Sequence, residues 1–127
     1  MKSLKQTYKI HAQVARVWQA LVDPNIIEKW SGGPAIMDEN VGTKFSLWGG
    51  DIHGTNTKVI KNKFLEQDWF GGQWTGPSKL KFLLKKVSDT TTEVELVQDD
   101  IPDHELDDID DGWKRYYMGP LKELLEK

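Results

Sequence analysis

Few side chains in this chain could do chemistry. Its histidines are His11, His53 and His104, and it has no cysteine. None of the three falls in a zinc-ligand spacing such as H-E-x-x-H, and each reads as a surface residue. Without cysteine, thiol nucleophiles, disulfides and thiolate metal sites are excluded. No G-x-S-x-G turn occurs, and "GGPA", "WGGD" and "FGGQ" read as turn glycines rather than phosphate cradles. Eight acids between Asp99 and Asp111 suggest a calcium loop at first sight. A frame starting at Asp107 fails, because Ile109 falls at the third position and Met118 at the twelfth, where carboxylates are required. The same acids suit the positive end of a helix that starts after Pro102. The residues call for no metal and no cofactor.

Recognition is better supported than catalysis. Trp48, Trp69, Phe82, Trp113, Tyr116 and Tyr117 are large aromatic residues, and Gln67 and Gln98 are amides set among apolar neighbours. Apolar walls with a few polar groups describe most small-molecule sites. Those eight residues are the candidate ligand-binding set. A filled core, with the amides paired to Tyr hydroxyls or indole N–H groups, is the competing reading. Glu28, Asp51 and Asp68 are acids that could border such a site. Phe70 and Trp74, in "WFGGQWTGPS", would mark a protein-contact patch or a pocket mouth if exposed.

The elements that must position these residues follow from periodicity. Leu4, Tyr8 and Ile10 alternate with polar residues, as in a half-buried strand, and Gln6 shares their face. Val14, Val17, Trp18, Leu21 and Val22 recur at helical spacing. "DPNIIEKW" reads as a second short helix, with Asp23 as N-cap and Pro24 in its first turn. Five strands are then predicted, in "TKFSLW", "HGTNTKVI", "FLEQDW", "KLKFLLKKV" and "TEVELVQ", with one more possible before Met37. Their short links require antiparallel neighbours. Alternation turns Leu65, Gln67 and Trp69 inward, with Leu80, Phe82, Leu84, Val94, Leu96 and Gln98. It turns Trp48 to the face opposite Phe45 and Leu47.

The chain closes on a helix from about Glu105 to Glu126. Leu106, Ile109, Trp113, Tyr117, Leu121 and Leu124 form one stripe, widened by Tyr116 and Leu125. Gly119-Pro120 predicts a kink or break, with Pro120 opening a second segment. The fold class is therefore α+β, with six or seven antiparallel strands and residues 1–127 forming one domain.

At 127 residues and a net charge of −3, the chain has no electrostatic footprint for nucleic acid. The lysines from Lys58 to Lys86 read as the solvated face of strands rather than a patch for an acidic partner. No stretch reaches the roughly 20 apolar residues of a membrane span. "MKSLKQTYKI" carries no secretory signal, so a cytoplasmic location is expected.

"RVWQALVDP", a following Trp30, "VGTKFSLWGGDIHGTNTKVI", "FLEQDW" and the late "DDGWKRYYMGPLKELLE" come in an order that resembles a known family. It is the family named for the activator homologue of the ninety-kilodalton heat-shock chaperone ATPase, AHSA-like, in the START-like or SRPBCC superfamily. The resemblance covers essentially the full length. It implies a helix-grip fold, an antiparallel sheet curved around a long C-terminal helix with two small helices at one end. It also implies a cavity that often holds lipids or other apolar molecules. A chaperone partner is implied by the family name alone. The chain departs from the family's pattern at Gln13 and Val14, where Pro is frequent, and at Gly119-Pro120. The resulting expectation is a non-catalytic domain binding a small hydrophobic or aromatic ligand. A protein-interaction, co-chaperone-like module is the alternative, and a small cyclase or hydrolase comes third.

Overall fold

A computed structural model describes residues 1–71, 74 and 76–127. Gly72, Gln73 and Thr75, in the turn expected between the last "FLEQDW" residue and the next strand, lie outside the described residues. Among the described residues, seven strands form one antiparallel sheet. They are β1 (Lys2–Ile10), β2 (Ala35–Ile36), β3 (Lys44–Leu47), β4 (Ile52–Ile60), β5 (Phe64–Gly71), β6 (Ser78–Ser88) and β7 (Thr91–Ile101). Their order is β1-β7-β6-β5-β4-β3-β2, so the first two strands in sequence occupy opposite edges. Between them, α1 (Val14–Val22) and α2 (Pro24–Ser31) carry the chain from one edge to the other.

Local sequence explains the helix boundary. The Asp23 carboxylate accepts from the Asn25 N–H at 2.9 Å, and Pro24 follows in the first turn, so one residue ends α1 and caps α2. Gly32, at φ 74°, closes α2 in the left-handed region that favours glycine. Leu65, Leu80, Phe82, Val94 and Leu96 are fully buried on the inner face of the sheet, as alternation predicts. Trp18, Leu21 and Ile27 bring the two short helices onto the same core.

The closing helix covers that inner face in three stretches: α3 (Leu106–Gly112), a π-helical turn (Trp113–Met118) and α4 (Gly119–Leu125). The expected interruption at Gly119-Pro120 takes this form, and the backbone stays helical through it, with Gly119 at φ −59°, ψ −57°. Its N–H donates to the Lys114 carbonyl five residues back. A Cβ at Gly119 would lie 2.1 Å from that oxygen, so the wide turn requires glycine. The turn also shifts the phase of the buried stripe. Met118 and Leu125 are buried, Leu124 is only partly so, and Tyr116 is 64% exposed instead of widening the core. Among the described residues, no helix is long and apolar enough to cross a membrane.

Candidate functional site

The inward-facing amides are spoken for by protein partners. Gln98 accepts from the Trp113 indole N–H at 2.8 Å and donates to Ser78 Oγ at 3.0 Å. Gln67 donates to Asn56 Oδ1 at 2.9 Å, and Asn56 in turn donates to the Asp38 and Asn40 carbonyls. Gln6 donates to the Asp110 carboxylate at 2.7 Å and accepts from the Tyr8 hydroxyl. These bonds remove the desolvation cost of burying an amide, about 1–3 kcal/mol each when unmade. They also fix the aromatic residues around them.

Trp113 is the clearest case, held by Gln98 at one end and packed by rings at the other. Its centroid lies 5.7 Å from Trp69, 5.8 Å from Phe82 and 4.5 Å from Tyr117. Trp69 has small strand neighbours, Gly54 on β4 and Ser78 on β6, which leave room for its indole. A Cβ at Gly54 would lie 1.8 Å from the Asp68 carbonyl oxygen, so that close approach needs glycine. The buried Trp69 indole N–H has no acceptor among the described residues.

Trp48 reaches the same face by a different route. It adopts φ 53°, rare for a bulky side chain, and the short turn Trp48–Gly50 continues through glycines at φ 70° and 104°. Simple alternation therefore fails at this residue. The indole N–H donates to the Ser31 carbonyl at 2.9 Å, and the ring meets Tyr117 edge-on at 6.5 Å. Gly33 lies beneath it, where a Cβ would be 2.8 Å from the ring.

Between this turn, the sheet and the closing helix lies a cleft of about 310 Å³. Trp48, Asp51, Ile52 and Trp69 form one side. The helix supplies two adjacent rows at i, i+4 spacing: Asp108, Gly112 and Tyr116, and Ile109, Trp113 and Tyr117. Burial holds the Tyr117 phenol far above the ordinary tyrosine range. A second cleft of about 740 Å³ shares Asp51, Ile52, Trp69 and Ile109 with the first and extends past Trp74 and Pro77.

A family model described as Activator of Hsp90 ATPase homolog 1-like protein matches residues 11–126. The chain belongs to that family. An activator of 90 kDa heat shock protein ATPase homolog from Dictyostelium discoideum is 26% identical to this AHSA1-like chain over 123 residues, 95% of it. Its human counterpart is 23% identical over the same share. The AHSA1-like chain spans only 32% and 36% of the length of these two relatives. A crystal structure of an HSP90 activator from Plasmodium falciparum superposes with a TM-score of 0.91 at 23% identity, covering 98% of this chain and 96% of that one. The likeness establishes the helix-grip architecture.

In this AHSA1-like chain, five of the eight residues singled out from sequence line the smaller cleft: Trp48, Trp69, Trp113, Tyr116 and Tyr117. Phe82 lies fully buried beneath them, stacked on Tyr117 at 5.8 Å. Gln67 and Gln98 lie in the internal networks and do not line it. Of the candidate border acids, Asp51 lines both clefts. Asp68 pairs instead with Lys79 at 2.8 Å, and Glu28 accepts from the Ala35 N–H. Phe70 stacks on His53 at 5.1 Å, while Trp74 meets Trp69 edge-on at 5.5 Å. Sequence reasoning missed Ile52, Asp108, Ile109 and Gly112 as lining residues. Gly112 did carry a signal, since a glycine inside a helix costs about 0.5–1 kcal/mol relative to alanine.

Proposed function

We propose that this chain is a non-catalytic binding domain that takes a small apolar or aromatic molecule into the cleft between the sheet and the closing helix. Gly112 carries the reading. It lies mid-helix at ordinary helical angles, φ −59° and ψ −39°, and an added Cβ would meet nothing within 4 Å. Neither backbone conformation nor packing calls for glycine there. What it leaves is space, in the same row as Asp108 and Tyr116, and a volume at the small end of ligand pockets.

Native mass spectrometry after exposure to a lipophilic cell extract tests this. A retained mass of a few hundred daltons is expected, lost in Gly112→Leu, which fills the cleft without backbone strain. No retained mass in the parent protein, or the same mass in Gly112→Leu, would overturn it.

A co-chaperone role is the second reading, favoured by the family and by the Plasmodium HSP90 activator, a chain of nearly this length. Stimulation of a partner chaperone's ATPase by the purified chain would support it, and unchanged turnover would count against it.

A further inference from the structure

The chemistry of the cleft lining points to the charge of its occupant. Among the described residues, five of the ten that line the cleft are aromatic: Trp48, Trp69, Trp113, Tyr116 and Tyr117. Aromatic faces present negative potential and attract organic cations held within about 6 Å of the ring centroid. Among the described residues, the ionisable groups at the wall besides the phenols are two carboxylates, Asp51 and Asp108. They come from separate elements, the β3–β4 turn and α3. Helix-end electrostatics accounts for Asp108 but gives no reason for Asp51.

Among the described residues, neither acid forms an ion pair, whereas the basic side chains of the π-helical turn are engaged. Lys114 and Arg115 are bound to Asp110 and Asp111 on the helix, at 3.3 Å and 3.0 Å. The Met1 amino group, beside the larger cleft, is bound to Asp103 at 2.9 Å. Among the described residues, that larger cleft adds Asp100 and Glu105, with His104 as its one basic side chain. The approach to the aromatic wall is therefore negative, and a charged mouth of one sign concentrates the opposite charge.

We infer that the cleft selects a small organic cation, an alkylated ammonium group on an apolar or aromatic body. The ammonium sits against the ring faces and is balanced by Asp51 and Asp108. This rests on the binding role proposed above and adds the charge of the ligand.

A matched pair of probes tests it: meta-hydroxyphenyl-trimethylammonium and its neutral isostere meta-tert-butylphenol. Binding is followed at low ionic strength by the indole N–H signals in two-dimensional NMR. The cation is expected to bind at least about tenfold tighter, and Asp51→Asn/Asp108→Asn to remove most of that gap while still binding the phenol. Equal affinities or a preference for the phenol would overturn the assignment of charge and leave the cleft a neutral site, and a gap unchanged in the double variant would overturn the role given to Asp51 and Asp108. Binding of neither probe would remove the binding role together with it.

Discussion

Trp113 and Trp69 differ at one atom that matters. Both are buried indoles of the same cluster, but the Trp113 N–H is bonded to Gln98 and the Trp69 N–H has no acceptor among the described residues. Replacement by Phe removes similar ring area from each. Trp113→Phe also strands the Gln98 carbonyl oxygen, so it should cost about 1 kcal/mol more than Trp69→Phe in denaturant unfolding. Equal losses would show that the Gln98 bond contributes nothing net. Strand alternation placed Trp69 and both amides on the inner face correctly, and helical spacing placed Trp113 against it. It could not distinguish an amide that lines a cavity from one that braces the wall behind it. That distinction depends on which strand brings Ser78 or Asn56 alongside, and sequence does not supply register. Trp48 was misplaced by alternation for a local reason, the left-handed backbone at its own position.

At the scale of elements, the closing helix was legible in length and in its aromatic stripe, but not in phase. A π turn adds one residue without ending the helix, so every position beyond it rotates relative to a regular stripe. Gly119 is what the turn requires, because a side chain there would meet the Lys114 carbonyl. Gly119→Ala is therefore expected to destabilise the fold by about 1–3 kcal/mol, although alanine normally favours helices. At roughly 4 °C per kcal/mol for a domain of this size, thermal unfolding resolves the effect. A melting point unchanged or raised would contradict the close approach. Because Trp113, Tyr116 and Tyr117 all sit in this turn, regularising it would also disturb the cleft.

Across the whole molecule, charge is mixed on the sheet and acidic at the start of the closing helix. On the outer face of the sheet lysines alternate with carboxylates: Lys79 bonds Asp68 and Glu66, and its ammonium is held above the ordinary lysine range by the bond to Asp68. Acids crowd the start of the closing helix. One of them ties the helix to the edge strand: the Gln6 amide bond to Asp110 holds its carboxyl below the ordinary 3.8, aided by Lys114. Tyr8, in the same network, is pushed up to about 12 by burial and then by the Asp110 charge. A carboxyl depressed in the folded state contributes stability that is complete above its unfolded value and is lost as pH falls through the folded one. Asp110→Asn should therefore flatten the loss of stability below about pH 4, and an unchanged acid limb would show that the network carries no charge-linked stability. Composition made the acidic cluster plain, whereas its convergence with Asp51 depended on the β3–β4 turn folding over the same helix.

The central claim is that the cleft beside Gly112 is kept open for a ligand, and titration of a neutral fluorescent probe, N-phenyl-naphthylamine, into the parent protein and Gly112→Leu tests it most directly. The account predicts saturable fluorescence enhancement with the parent protein and none with Gly112→Leu, whose melting point should be equal or higher because leucine favours the helix. Enhancement of the same size and midpoint in both proteins, or in neither, would contradict it.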